Sequence, residues 1–161
     1  MRVGALLPAG TALAALALCA CALARAPQSF AKSEWKVARV SCPSGCGEAT
    51  TRFLRAQVGR PVHISATSLE APFLDKCDGA VRWELSDRPV AAVIDELNRG
   101  IAPGTKRIGA ADLETAQSGV VGNGIATCRG RYGEMAMARA PLVAPDRIIL
   151  LFEEHSLIEL R

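Results

Sequence analysis

Near its end the chain reads Arg147-Ile-Ile-Leu-Leu-Phe-Glu-Glu-His-Ser-Leu-Ile-Glu-Leu160. Two apolar runs flank the polar segment Glu153-Glu-His-Ser156, a pattern typical of a β-hairpin with a short turn. The first run, from Ile148 to Phe152, is apolar at every position rather than at every second one. Both of its faces must therefore be buried, which predicts a strand at the centre of a sheet or one covered by a helix.

Five further stretches combine apolar–polar alternation with strand-like composition, and each predicts a strand. They are 35–40, 61–67, 81–85, 120–128 and 135–143. Gly122 and Gly124 interrupt the fourth stretch and indicate a bulge or a bend. Together with the C-terminal hairpin this makes about seven strands, which mostly follow one another in the chain and are therefore expected to pair antiparallel.

Two stretches have helical spacing. In the clearer one, apolar residues recur at i, i+3, i+4, i+7 and i+11 from Val90 to Ile101. Ser86 or Asp87 is its predicted N-cap, and Gly100 its predicted stop. The other is a short helix over 48–58. The predicted fold class is α+β and β-rich: an antiparallel twisted sheet or small barrel of about seven strands, with one or two helices packed on it.

The composition limits the class of protein. The chain has 161 residues, a formal net charge of +3, 50% hydrophobic residues and 4% aromatic residues. That length fits one folded domain, and the apolar fraction excludes a disordered chain. The 19 basic residues nearly balance the 16 acidic ones and form no basic run, so nucleic acid is not an expected partner.

The first residues have the pattern of an export signal. Arg2 precedes an almost wholly apolar run that ends in the small-residue motif Ala22-Leu23-Ala24, which predicts a signal peptide over 1–24. A membrane anchor is the alternative interpretation of such a run. Leu18-Cys19-Ala20-Cys21 resembles the bacterial lipobox and makes Cys21 the lipidation candidate. We expect a tether over 25–34, one β-rich domain over 35–161, and a periplasmic, secreted or lipid-anchored location.

Four cysteines follow the predicted signal: Cys42, Cys46, Cys77 and Cys128. An even number in an exported chain predicts disulfides. Of the three connectivities, the sequence favours Cys42–Cys46, across a turn with Pro and Gly, together with Cys77–Cys128. A four-thiolate zinc site is disfavoured because only one pair has the spacing of zinc ligands.

Copper or thiol-redox handling at Cys42 and Cys46 is a further alternative, because thiolates and thioethers bind Cu(I). The candidate thioether ligands are Met135 and Met137, in the segment Glu-Met-Ala-Met. Packing inside the fold is the simpler interpretation of both methionines. The favoured prediction from the sequence is therefore a protein without a metal or a cofactor.

The search for catalytic motifs is mostly negative: the chain contains neither a Gly-x-Ser-x-Gly elbow nor a His-Glu-x-x-His motif. Asp75 and Asp78, on either side of Cys77, are interpreted as solvated loop charges. Arg129, Arg131 and Tyr132 form a small basic and aromatic patch and are predicted binding residues. They are grouped with Trp83 as binding candidates, and no residue is predicted to be catalytic.

The segment Gly122-Asn-Gly-Ile-Ala-Thr-Cys-Arg-Gly-Arg-Tyr-Gly133 resembles the Gly-, Cys- and Tyr-containing stretch of META-domain and lysozyme-inhibitor-like envelope proteins. The resemblance implies a small exported β-protein without enzymatic activity. We therefore expect a binding or inhibitor-type module whose partner is an envelope protein, such as a hydrolase, or a cell-wall component. The alternative is a carrier of a small apolar ligand inside a barrel. Its predicted lining residues are Trp83, Ile64, Leu150 and Phe152.

Overall fold

The structure, a computed structural model, describes residues 29–161. In chain order its elements are β1 (Glu34–Ser41), α1 (Glu48–Arg55), β2 (Pro61–Ile64), β3 (Leu69–Glu70), β4 (Ala80–Pro89), α2 (Val90–Leu97), β5 (Val120–Gly130), β6 (Gly133–Ala144), β7 (Arg147–Phe152) and β8 (Ser156–Leu160). A 3-10 turn, Glu153–His155, joins β7 to β8. The predicted signal peptide 1–24 and the lipidation candidate Cys21 lie outside the described residues.

All eight strands form one antiparallel sheet in the order β3-β2-β1-β8-β7-β6-β5-β4. The sheet curls until its two edges almost meet, and the Val81 N–H donates to the Thr67 carbonyl at 3.2 Å across the gap. The predicted α+β class, with a twisted sheet or small barrel, is confirmed. The strand count rises from about seven to eight because β3 has only two residues, too few to show any alternation.

The C-terminal hairpin occupies the middle of the sheet, where β7 pairs with both β6 and β8. Ile148 and Leu150 point into the barrel core, whereas Ile149 lies in a second apolar cluster on the outer face. All three are at most 1% exposed. The continuous apolar run therefore buries both faces of β7, as its composition predicts.

Two apolar layers stabilise the sheet. The interior core holds side chains from most strands and from α1, among them Trp35, Leu54 and Ile64. On the outer face, α2 and the irregular segment that follows it cover the sheet with Leu97 and Leu113. Each layer buries large side chains almost completely, and the transfer of such side chains out of water is the main favourable term in folding.

Several predicted boundaries differ from those in the structure, three of them as follows. The predicted N-cap of α2, Ser86 or Asp87, is wrong: β4 continues to Pro89, which pairs with Val120 and precedes the helix. The backbone of this stretch makes its hydrogen bonds to β5 instead of within a helix. The helix α1 ends at Arg55 instead of residue 58, and β2 ends at Ile64 instead of residue 67.

Residues 29–34 of the predicted tether contact the barrel. The Phe30 ring lies edge-on to Trp83 with 4.9 Å between the ring centroids. The ammonium group of Lys32 lies 4.3 Å from the centre of the Trp35 ring. The backbone carbonyl of Lys32 accepts a hydrogen bond from the Trp35 indole N–H at 3.1 Å. These contacts fix the start of β1 against the interior core.

A buried carboxylate joins several strands on the outer face. Glu159 is 5% exposed and contacts Arg39 at 2.9 Å, Arg161 at 2.6 Å and Arg147 at 3.3 Å. Glu114 also contacts Arg39 and so ties the segment after α2 to the sheet. Burial by itself would raise the pKa of the Glu159 carboxyl. The hydrogen bonds from Arg161 and Arg39 and the charge of Arg147 outweigh burial and hold that pKa below its ordinary value.

Candidate binding surface

Both expected disulfides are present. The sulfur atoms of Cys42 and Cys46 lie 2.03 Å apart, and those of Cys77 and Cys128 lie 1.96 Å apart. The favoured pairing is thus confirmed. Two disulfides in a chain of this size fit an oxidising location outside the cytoplasm.

The predicted binding residues Arg131 and Tyr132 form the tip of the hairpin between β5 and β6. Gly130 pairs with Gly133, so only these two residues make the turn. Gly133 has a φ of +102°, a backbone conformation that glycine adopts without strain. A two-residue turn leaves its side chains outside the sheet, and Tyr132 is accordingly 84% exposed.

The loop that precedes β4 holds this hairpin from one side. The Cys77–Cys128 disulfide ties the loop to β5. Asp78, interpreted from the sequence as a solvated charge, accepts the Arg131 backbone N–H at 3.4 Å. Gly79 packs so closely that an added Cβ would lie 2.1 Å from the Arg129 carbonyl oxygen. The hairpin is therefore clamped next to its tip by a covalent bond, a hydrogen bond and a close backbone contact.

The tip combines an exposed aromatic ring with positive charge. The Arg131 guanidinium carbon lies 5.9 Å from the centre of the Tyr132 ring, within cation–π range. Arg129 faces Glu134 across the hairpin at 3.9 Å, and both side chains are about half exposed or more. Among residues 29–161, no carboxylate pairs with the Arg131 guanidinium. The hairpin thus offers a partner an aromatic group and a guanidinium that forms no ion pair within residues 29–161.

Trp83, the fourth predicted binding residue, lies elsewhere. It belongs to β4, is half-buried, and packs against the interior core and Phe30. Its indole N–H is buried and finds no acceptor within the described part of the chain. The structure therefore brings together Arg129, Arg131 and Tyr132 and separates Trp83 from them.

An open groove of about 750 Å³ begins beside the hairpin. The Cys77–Cys128 disulfide, Met135 and Met137 form one side of it, and three aromatic rings form the other. These rings belong to Phe53, Phe73 and Phe152. Met135 is 59% exposed and Phe53 is 43% exposed, so the groove displays apolar surface to solvent. No sequence pattern indicated this groove, because its sides come from segments that are distant in the chain.

The four residues predicted to line a barrel ligand site do not surround a common space. Ile64 and Leu150 are fully buried among other core side chains, at 0% and 1% exposure. Trp83 and Phe152 border two different open grooves. The geometry therefore gives no support to an apolar ligand held at these four positions.

The residues predicted for copper or thiol chemistry are also separated. Cys42 and Cys46 are bonded to each other, so neither offers a thiolate in this structure. Met135 and Met137 lie in the groove beside the other disulfide. Asp78 lies within 4.8 Å of the Cys77 and Cys128 sulfurs, but these sulfurs are likewise joined to each other.

A carboxylate–imidazole–carboxylate row crosses three strands at the other side of the barrel. Glu34, His63 and Glu70 are register partners on β1, β2 and β3. The His63 Nδ1 lies 2.7 Å from a Glu34 carboxylate oxygen. The row borders a cleft of about 340 Å³.

Comparisons of the chain with protein-family models, with curated proteins and with solved structures find no match. Across residues 29–161, no helix has both the length and the apolar character needed to cross a membrane.

Proposed function

We propose that this protein is a non-enzymatic binding or inhibitor-type module of the cell envelope, and that the tip of the β5–β6 hairpin is its contact surface. The observation that carries this proposal is the 84% exposure of Tyr132 on a clamped two-residue turn. Tyrosine and arginine, like tryptophan, are enriched among the residues that dominate binding energy at protein interfaces. A partner surface that is apolar and negatively charged complements this tip.

The clamp explains why this hairpin is suited to binding. Ordering a loop on association costs roughly 0.5–1.5 kcal/mol for each immobilised side chain. Here the Cys77–Cys128 disulfide and the Asp78 carboxylate already hold the backbone beside the tip. Tyr132 thus reaches its partner from a backbone that is largely pre-ordered, and more of the contact energy appears as affinity.

The proposed location follows from the first residues and the cysteines. The pattern of an export signal over 1–24 and the disulfides both favour a periplasmic or secreted protein. The lipobox-like cysteine at position 21 supports a lipid-anchored form. The resemblance to META-domain and lysozyme-inhibitor-like proteins favours a hydrolase or a cell-wall component as the partner.

Affinity capture from an envelope extract, followed by binding measurements with the captured protein, tests this proposal. We expect Tyr132→Ser to weaken binding about 30-fold, equivalent to about 2 kcal/mol, because the ring supplies the exposed apolar contact. Arg131→Ser should weaken binding to a smaller extent and reduce its dependence on salt. Inhibition of lysozyme acting on peptidoglycan should be measured in parallel as a defined hydrolase assay.

Arg55→Ser is the matched control, because Arg55 is also exposed but lies at the end of α1. It should leave binding unchanged. Circular dichroism and thermal unfolding must show that every variant retains the fold. Equal binding by the wild type and Tyr132→Ser would contradict the proposal, as would the absence of any captured partner together with unchanged hydrolase activity.

A further inference from the structure

The strand β6 is longer than the part of it that pairs with β7. On that side the ladder begins at Arg139, which pairs with Leu151, and continues to Ala144. Residues 133–138 pair only with β5. Beyond Phe152 the chain leaves the sheet in the 3-10 turn Glu153–His155. Within residues 29–161, no strand pairs with this side of 133–138.

This free edge has backbone groups available for pairing. In an antiparallel strand, alternate residues direct their N–H and C=O groups toward each neighbouring strand. The groups of 133–138 that point away from β5 make no backbone hydrogen bond to any other described segment. A row of such groups is a template for another strand.

The outer edge of β4 shows how this same sheet protects an edge. That strand carries alternating charges on its solvent side, including Arg82 and Glu84, and ends in Pro89. Charged side chains and proline discourage pairing with other chains. The edge at 133–138 has one charged residue, Glu134, followed by Met-Ala-Met-Ala. It has neither the proline nor the alternating charges of the β4 edge, and its one other protecting feature is a register shift against β5 between Ala136 and Ala138.

The free edge lies within the groove described above, which the charged residues Asp75, Lys76, Arg139 and Glu153 also line. Met135, Ala136 and Met137 line one side of the groove, and Phe73 and Phe152 line the opposite side. The space of about 750 Å³ between these sides is open to solvent. An occupant of the groove therefore meets the hydrogen-bonding backbone of β6 along one side, and both apolar and charged side chains along the rest of the groove.

We propose that the groove binds an extended segment of a partner protein, which adds to the sheet as a further strand along residues 133–138. This inference rests on the proposed binding function and deepens it by specifying the chemistry of the partner. The segment has apolar side chains at alternate positions, to contact the aromatic side of the groove. It carries an acidic residue near the hairpin tip, where Arg131 has no carboxylate partner in the described residues.

Two other occupants fit less well. A fatty acyl chain would fill the apolar space but would leave the backbone groups of 133–138 without partners. A second copy of this protein would pair its own residues 133–138 antiparallel with this exposed edge, which would place its only acidic residue there, Glu134, opposite Met137 and away from Arg131. An extended peptide satisfies both the apolar side and the hydrogen-bonding side.

Selection of a random-peptide phage library on the purified, disulfide-intact full chain tests this proposal. An enriched peptide is then synthesised and titrated by calorimetry. We expect Ala136→Lys, which places a long charged side chain in the groove, to weaken binding at least tenfold. The matched control is Ala102→Lys, an exposed alanine in the segment after α2. If Ala136→Lys does not fold, Met135→Lys at a 59% exposed position replaces it.

Main-chain pairing has its own readouts. N-methylation of alternate amides in the selected peptide should abolish binding when it falls on the amides that face β6, and have little effect in the other register. Bound peptide should slow hydrogen exchange of alternate amides within 133–138 at least tenfold, and leave the β4 edge unchanged. Strand addition predicts all of these effects, whereas simple apolar contact predicts none of the backbone effects.

The proposal is overturned if no peptide is enriched, if enriched peptides bind Ala136→Lys equally well, or if neither N-methylated register loses affinity. It is also overturned if lauric acid binds in the groove while no peptide does. Tyr132→Ser separates the two proposals when the envelope partner is used. A partner that loses affinity with Tyr132→Ser but not with Ala136→Lys supports the hairpin tip and refutes strand addition.

Discussion

Loss of the Cys77–Cys128 disulfide should destabilise the protein by about 4 kcal/mol. The two cysteines are 51 residues apart in sequence, and a cross-link over that distance removes about this much chain-entropy free energy from the unfolded state. The Cys42–Cys46 disulfide spans only 4 residues, for which the same relation gives about 2 kcal/mol. The two bridges should therefore differ about twofold in their effect.

The double variants Cys77→Ala with Cys128→Ala, and Cys42→Ala with Cys46→Ala, test this difference. Alanine avoids placing a hydroxyl at Cys128, which is 7% exposed. Urea unfolding followed by tryptophan fluorescence gives the free energy of unfolding of each variant under non-reducing conditions. Each variant serves as the control for the other, since both lose one disulfide.

The backbone of the β5–β6 hairpin should become more mobile only in the variant that lacks the Cys77–Cys128 disulfide. The Arg131 backbone N–H donates a hydrogen bond to Asp78 at 3.4 Å. Hydrogen exchange at this N–H should accelerate when the Cys77–Cys128 disulfide is removed, and should remain unchanged when the Cys42–Cys46 disulfide is removed. Equal losses of stability in the two double variants would refute the chain-entropy reasoning. Unchanged melting of the wild type on addition of a reductant would refute a stabilising role for either bridge.

Two further predictions concern the outer face and the clamp. Glu159→Gln should cost about 2 kcal/mol at neutral pH, because it removes the charge that accepts hydrogen bonds from Arg161 and its neighbours. The pKa of Glu159 is held below its ordinary value of 4.5, so its contribution is complete above that pH and is lost as the pH falls through the folded-state pKa. Urea unfolding between pH 7 and pH 3 should show this loss in the wild type and a weaker one in Glu159→Gln; identical acid profiles would argue against it. Gly79→Ala should cost about 2 kcal/mol or more, since its Cβ would collide with the Arg129 carbonyl oxygen at 2.1 Å. Gly109→Ala, whose Cβ would meet nothing nearer than 3.8 Å, is the control in thermal unfolding, and similar melting of the two variants would disprove the close contact.

Local sequence patterns were informative wherever burial follows a regular period. The unbroken apolar run in β7 indicated a central strand because both of its faces had to leave water. The spacing from Val90 to Leu97 indicated α2 because one stripe of that helix covers the sheet. The interruption by Gly122 and Gly124 indicated a bulge, and the register of β5 against β6 shifts between these two residues.

Patterns failed where a distant segment settled the local conformation. Ser86 and Asp87 are good N-cap residues, yet they lie in β4 because Asn123 and Gly122 pair with them. Competition between a cap and a strand ladder depends on whether a partner strand is present. Residues 86 and 87 contain no information about that partner.

For the binding surface as well, the sequence predicted some of the residues and the structure supplied the rest. Arg129, Arg131 and Tyr132 are neighbours in the chain, so a sequence pattern placed them together before any fold was known. Asp78, which supports their hairpin, acquires this role only through the Cys77–Cys128 disulfide and the packing of Gly79.

The amino-acid order by itself determined the strand-rich class, the central hairpin, the helix over the sheet and the preferred cysteine pairing, because these depend on periodicity and spacing within short segments. Only the tertiary structure decided where the sheet closes, which strand edge stays free and which aromatic rings face that edge. Those features depend on hydrogen bonds and contacts between segments far apart in the chain, such as β6 and the 3-10 turn Glu153–His155.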